Sequence, residues 1–557
     1  MENMPRVWGG GAVFGYAESG DCGLHGRLCT DGIGIDFDDE HRCSLMLNTD
    51  KVADITPLAV LPDYVSITAD LGGEPCDIIM AAVSRDGVYI HVDRDVPLAV
   101  NFGSNYDSTT YDGGCMYRCG DRDYALAKRA YSGGVVYAFA TGDECRSESD
   151  RIASLAPESV SEDLLSVYKK LGIPDSVSDI YRPLYMRCSA IVRNGVSSKG
   201  CFGKRTEGKF SVSVVSALMR AVALKDMYSE YARATVLKIA DYISADGFLP
   251  SDITAYCCNS VAPPIVCYAF DEIFGKDRDM VEAYYDRLRS CIKYFADKRD
   301  INKDYTYQLS SGDKGEPGRE CGMPNSPRFD AGVLQSSPDV SGYMYLAALA
   351  MGNMSRTINR NDDIIYWGVL AQRVAAGANS RLYDKSKGFY YDRPIIGSHF
   401  VDVRTTAGFM PLYAGFVPEE HISGLVGLTD DPTAFRTGRG IATIAVSDSC
   451  YSQDINRGSM SLFECYKIIK GMVNSGYVVK AQNIAARVLD TVLRAYEEDG
   501  LLYSHYSSDR RVSHRRQKLF GKSIMPACRS NFDYVADCPE TAAFVLAIVN
   551  MMAEENC

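Results

Sequence analysis

Apolar and polar positions alternate through the first part of the chain. In Val65-Ser66-Ile67-Thr68-Ala69-Asp70-Leu71 and Val88-Tyr89-Ile90-His91-Val92, apolar side chains return at every second residue, the period of a half-buried strand. Glycine and aspartate punctuate these runs, as in Tyr111-Asp112-Gly113-Gly114. Residues 1–150 therefore read as short strands of an antiparallel β-sandwich. Ser147-Glu148-Ser149-Asp150 reads as a polar break, and a helix starts near Pro157 with Ser159 or Ser161 as its expected cap.

From about residue 178 the period becomes helical. In Tyr231-Ala232-Arg233-Ala234-Thr235-Val236-Leu237-Lys238-Ile239-Ala240, apolar residues return every three or four positions. About twelve such stretches follow, the first two near 178–194 and 211–225. Six pairs of helices is the count of an (α/α)6 toroid, whose inner helices face a funnel and whose loops at one rim line a pocket. The expected class is thus α+β multidomain: a sandwich over 1–150, a helical linker over 151–177 and a toroid over 178–557. The longest link, about 300–338, is dense in Gly, Pro, Asp and Ser, and long loops on a compact helical frame usually carry function.

Composition narrows the partners. At 557 residues the chain exceeds a single core, and 46% hydrophobic with 24% charged residues is ordinary for a globular protein. No apolar run approaches the ~18 residues of a membrane helix, and the start shows no cationic segment leading into an apolar one. A cytoplasmic protein is the expectation. The formal charge of −13 argues against nucleic acid and acidic membranes as partners. Most of the nineteen cysteines are scattered singly, and Cys115/Cys119 and Cys257/Cys258 find no second pair to complete a zinc set. Buried thiols are expected, without disulfides, metal or cofactor. No G-x-S-x-G elbow is present, and Gly9-Gly10-Gly11 lacks the strand before and helix after that a nucleotide loop needs.

The long loop carries Arg319-Glu320-Cys321-Gly322-Met323-Pro324-Asn325-Ser326-Pro327-Arg328-Phe329-Asp330. It resembles the E-S-G-M-D-N-S-P-R-x-D signature of the six-hairpin glycosidases related to trehalase and the processing α-glucosidase (glycoside hydrolase families 37 and 63). Asp339-Val340-Ser341-Gly342-Tyr343 resembles the D-L-N-S-Y of that family, and Ala262-Pro263-Pro264-Ile265 its Q-P-P-I. Gly388-Phe389-Tyr390-Tyr391-Asp392 resembles G-F-Y-Y-D, and Ile455-Asn456-Arg457-Gly458 resembles Y-W-R-G. The matches keep the order of the family over about 200–545, which implies the toroid and an N-terminal sandwich.

The departures fall on the chemistry. The family inverts: one carboxylic acid protonates the leaving oxygen and a carboxylate opposite activates water, the two roughly 6.5–9.5 Å apart. The resemblance places the acid at Pro324 and the base at Ser504, within Ser504-His505-Tyr506. The sugar-binding W-S-W-D becomes Phe210-Ser211-Val212-Ser213, and the chain has two Trp in all. Proline has no proton to give, and serine holds no charge at neutral pH.

Replacement groups are sought nearby. Glu320 and Asp330 flank Pro324, and Glu464 sits in the helix after Arg457; these three are the expected catalytic carboxylates. The bland alternatives are a loop brace, a helix cap and an outer-face polar residue. Asn325, Arg328, Phe389, Tyr391, Arg457 and His505 are the expected substrate contacts, Arg328 because a guanidinium fork binds oxygens in pairs. Its alternative is an internal salt bridge to Asp330 or Asp339. Asp454 is the expected partner of Arg457, and His505 the group able to take protons near neutral pH. The resemblance implies that the run Arg510-Arg511-Val512-Ser513-His514-Arg515-Arg516 lies near the funnel mouth, where its cations would suit an anionic sugar; the alternative is a solvated surface loop or a contact to an acidic neighbouring subunit. The expected function is a divergent glycosidase acting on a carbohydrate, with a catalytically silent sugar-binding or regulatory protein as the alternative.

Overall fold

A computed structural model describes residues 13–15, 24–29, 32–37, 41, 43–48, 52–131, 133–169, 173–197, 200–206, 209–253, 260–309, 318–509, 518–519, 522–523 and 537–554. The N-terminal part forms two antiparallel sheets, one of five strands and one of eight. The alternating segments are the strands Tyr64–Leu71 and Gly87–Val92 of the larger sheet. Val65, Ile67 and Val88 on its inner face share a core with Ile33, Ile35 and Leu45 of the smaller sheet.

The strand Gly134–Thr141 is apolar at nearly every position, because its outer face is also covered. Helices α1 (Cys145–Ala153) and α2 (Pro157–Lys169) follow, and Ile152, Ala153 and Val160 pack against Tyr89, Val136 and Ala138. Ser147–Asp150 is therefore helix, not a break: Glu148 accepts from the Ser84 hydroxyl of a sheet strand and from Arg151 of its own helix. Neither Ser159 nor Ser161 caps α2. The helix begins at Pro157, whose fixed φ and missing N–H suit a first position, and Ser161 donates back to the Pro157 carbonyl at 2.9 Å.

Twelve further helices follow among the described residues: α3 (Arg182–Asn194), α4 (Val214–Ala223), α5 (Ser229–Asp241), α6 (Ile265–Phe274), α7 (Arg278–Arg299), α8 (Pro338–Thr357), α9 (Asn361–Arg381), α10 (Met410–Ala414), α11 (Glu419–Gly427), α12 (Leu462–Asn474), α13 (Val478–Asp499) and α14 (Pro539–Glu554). Six of them, α4, α6, α8, α10, α12 and α14, pack side by side and close on themselves. Outside this ring α5, α7, α9 and α13 pack on their sequence neighbours, and α3 packs on α14. Burial follows position. The inner α8 is buried on nearly every side, whereas the outer α9 buries a stripe of Trp367, Ala371, Val374 and Ala378. The short α10 fits because its neighbours offer glycine: a Cβ at Gly342 of α8 would meet Met410 Cγ at 2.5 Å.

The expected helix at 211–225 starts later. Lys209–Ser213 is a strand paired with Lys204–Thr206 and Asp252–Ile253, and Ser213 stands at the N-cap of α4. The alternation Phe210, Val212 decided that segment. Among the described residues the cysteines are free thiols, most of them buried. No described helix is long and apolar enough to cross a membrane.

Candidate active site

The loops that lead into the inner helices enclose a cavity of about 130 Å³. Pro324 and Ser504, the two positions that the resemblance assigns to acid and base, both line it. Local chain geometry puts them there. Asn325 adopts a left-handed φ of 67°, which asparagine tolerates, and its Nδ2 donates to the Ile455 carbonyl at 2.8 Å. Asn456 returns the clasp, its Nδ2 donating to the Pro324 carbonyl at 2.9 Å. On the facing loop, His505–Tyr506 pairs antiparallel with Met460–Ser461 just before α12.

These contacts join the two positions. His505 Nε2 lies 3.1 Å from Asn456 Oδ1, and Nδ1 lies 3.3 Å from Ser504 Oγ. Because Asn456 spends its amide N–H on Pro324, its oxygen must accept, so Nε2 carries the imidazole proton. Nδ1 then accepts from the Ser504 hydroxyl. Burial pushes the His505 pKa down to about 4. The ring is therefore neutral at pH 7, and His505 is not the proton acceptor near neutrality that its sequence position suggested.

Carboxylates reach the cavity from segments far from the signature. Asp252, in register with Ser213, lines one part of the wall and Glu540 another. Glu540 lies in the first turn of α14 and accepts a short hydrogen bond from the Ser216 hydroxyl. One turn further along α4, Arg220 is 4% exposed. Its Nη1 donates to the Gly203 carbonyl at 3.2 Å, while Nε has no hydrogen-bond partner among the described residues. The wall thus combines two carboxylates, a guanidinium with donor capacity to spare and the hydroxyls of Ser213, Ser251 and Ser461.

The three carboxylates chosen from sequence are placed elsewhere, and each has a partner. Glu320 is buried and accepts from Arg299 at 2.5 Å and from the Val261 amide at 3.2 Å, bracing the loop. Asp330 is exposed and ion-paired with Arg457. Glu464 is buried on α12, 2.7 Å from Lys467 one turn on. None of the three lines the cavity. Of the expected contacts, His505 does. Asn325 stands beside Pro324 in the clasp, and Arg457 Nε approaches Asn325 Oδ1 at 3.5 Å while its fork holds Asp330. Arg328 is wholly buried between Asp339 and Asp392. Phe389 sits in an aromatic cluster with Tyr391, Phe409 and Phe435, and the Tyr391 hydroxyl accepts from Arg404 at 3.0 Å. Arg328, Phe389 and Tyr391 therefore stabilise the loop and ring, because their polar and apolar surfaces are spent inside the protein. Arg510, Arg511, Arg515 and Arg516 lie outside the described residues.

Arg220, Asp252 and Glu540 escaped the sequence reading. Cys538-Pro539-Glu540 shows the proline and early acid of a helix start, which says nothing about a pocket. Ring closure between α4 and α14 brings Arg220 and Glu540 together, and the pairing of Asp252 with Ser213 adds the third.

Residues 259–504 match the family of the mannosylglycerate hydrolase MGH1-like glycoside hydrolase domain. A Borreliella burgdorferi protein described only as uncharacterized is 23% identical over 188 residues, 33% of this chain; the chain spans 39% of the length of that curated relative. Among solved structures, the family-63 mannosylglycerate hydrolase of Thermus thermophilus in complex with glucose is 14% identical, with a TM-score of 0.53 over 66% of this chain and 100% of that one. A bacterial glucoamylase complexed with acarbose is 9% identical, with a TM-score of 0.61 over 100% of this chain and 97% of that one. At such identities the structural likeness speaks for the fold, while the family match covers the signature loop and ends at Ser504. By sequence, residues 259–504 are thus similar to the MGH1-like glycoside hydrolase domain, and by fold the chain resembles the six-hairpin glycosidases.

Proposed function

We propose that the protein cleaves a glycosidic bond in the cavity lined by Pro324 and Ser504, with Glu540 and Asp252 taking over the two roles that those positions have lost. The observation that carries this reading is that both substituted positions and both carboxylates line one cavity. Glu540, steadied by Ser216, takes the proton of the attacking water. Asp252, from the strand beside Ser213, protonates the leaving oxygen. Arg220 supplies the spare donor that suits an anionic sugar such as a uronate or sugar phosphate. All of this lies in the helical part that begins with α3, after the two N-terminal sheets and the helices α1 and α2.

The test is turnover of a panel of nitrophenyl glycosides and glycuronides by the full-length protein. Glu540→Gln and Asp252→Asn should each lower kcat/KM by about 100-fold or more, with thermal melting little changed. Wild-type turnover untouched by both changes sinks the assignment. The alternative, a silent sugar-binding protein, is favoured by the proline at 324. It is distinguished by finding no turnover on any substrate together with sugar binding that Arg220→Lys weakens.

A further inference from the structure

The inner helices border a second cavity, of about 220 Å³. The cavity of Pro324 is lined from the N-terminal ends of α4, α12 and α14, through Ser213, Ser461 and Glu540. The second is lined from their C-terminal ends, through Ala223, Asn474 and Met551. It therefore lies at the opposite mouth of the ring.

Its walls are built from residues one turn apart. Tyr466, Lys470 and Asn474 follow one another at intervals of four on α12, and Tyr268 and Glu272 do so on α6, a spacing that puts them on one helix face. Tyr413 lies in the last turn of α10. The rings of Tyr413 and Tyr466 lie 6.5 Å apart at 54°, and the hydroxyls of Tyr268 and Tyr413 are 3.3 Å apart. Tyr466 is only 5% exposed, yet its hydroxyl makes no hydrogen bond among the described residues. The hydroxyl oxygen itself is open to the cavity, where it is free to bond an occupant. Lys225 is committed to Glu272 at 2.6 Å, whereas Lys470 makes no ion pair among the described residues.

We propose that this cavity is a second binding site, separate from the candidate active site, for a neutral polyhydroxylated ligand of single-ring size, that is, a monosaccharide. The formal charges of its wall cancel, Lys225 and Lys470 against Asp226 and Glu272, so no net field selects an ion. Sugar hydroxyls both donate and accept, which matches phenols, an ammonium, amides and carboxylates presented together. The tilted tyrosine rings offer apolar faces to the C–H side of a pyranose. The volume is below the roughly 300–1,000 Å³ of sites for drug-sized ligands.

The experiment is calorimetric titration of the full-length protein with D-glucose, D-mannose and inorganic phosphate. Wild type is compared with Tyr466→Phe, Lys470→Met and Glu540→Gln. One binding component for a neutral sugar should weaken roughly three- to tenfold in Tyr466→Phe, and again in Lys470→Met, and be unchanged in Glu540→Gln. Phosphate should bind no better to wild type than to Lys470→Met. Sugar binding that ignores Tyr466→Phe and Lys470→Met, no sugar binding at all, or phosphate as the ligand lost in Lys470→Met would each overturn the proposal. A component lost only in Glu540→Gln reports on the candidate active site alone, and its being the sole component would overturn the second site as well.

Discussion

Arg328→Met separates a structural guanidinium from one that meets substrate. In the structure Arg328 has no exposed surface. Its Nη1 donates to Ser337 Oγ at 2.9 Å and Asp392 Oδ1 at 3.2 Å, and its Nη2 to Cys321 Sγ at 2.8 Å and Asp339 Oδ2 at 2.5 Å. One cation thus serves two buried carboxylates. Desolvation already pushes Asp392 up to about 6, against the pull of Arg328. Removing the cation leaves both carboxylates uncompensated in the core, a loss that costs roughly 3–5 kcal/mol for a buried pair. With about 2–4 °C per kcal/mol for domains of ~150–250 residues and less for larger ones, melting should fall by roughly 10 °C. Urea and thermal unfolding followed by circular dichroism at pH 7 measure this. Arg328→Met/Asp392→Asn should recover part of the loss, about 1–3 kcal/mol, because one stranded charge is gone. Lowering the pH from 7 to 5 should also shrink the penalty, since Asp392 then takes up a proton. An Arg328→Met protein as stable as wild type but unable to bind sugar would refute the reasoning and return the guanidinium to the substrate.

Three further outcomes can be measured. His505 is held below its usual pKa of 6.5 at about 4, so the unfolded chain binds the extra proton between those values. Its contribution is fully present above about pH 6.5 and is lost as pH falls toward 4, roughly 3 kcal/mol at most for that gap. Urea midpoints of wild type and His505→Gln between pH 7.5 and 4.5 should diverge accordingly; parallel curves would contradict the burial argument. Pro324→Asp combined with Ser504→Glu should raise hydrolysis of a nitrophenyl α-glucoside above the wild-type level, whereas strong wild-type turnover of that substrate or of trehalose would show the roles to be wrongly mapped. Exchanging Arg510, Arg511, Arg515 and Arg516 for glutamine should weaken binding of a uronate or sugar phosphate in a salt-dependent manner, and equal binding by both proteins would remove the basic run from ligand capture.

Periodicity sufficed for much of the architecture. The two-residue repeat of Val65 to Leu71 could bury one face only as a strand, and the 3.6-residue repeat from Tyr231 onward only as a helix; both are local properties that no distant contact reversed. The signature around Pro324 likewise pointed to a glycosidase-like loop, because its residues are contiguous, whereas Ser504 rests on a separate short match 180 residues on. Sequence distance does not convey which polar groups share a cavity. Glu320 and Asp330 flank Pro324 and Glu464 follows Arg457 along the chain, yet Arg299, Arg457 and Lys467 hold them. Arg220, Asp252 and Glu540 lie up to 320 residues apart and meet on one wall. Closure of a ring of six helices juxtaposes the N-termini of α4 and α14, and burial decides which charges are spent on internal pairs and which remain for a ligand. Both are properties of tertiary packing, since they depend on which surfaces lose their water together.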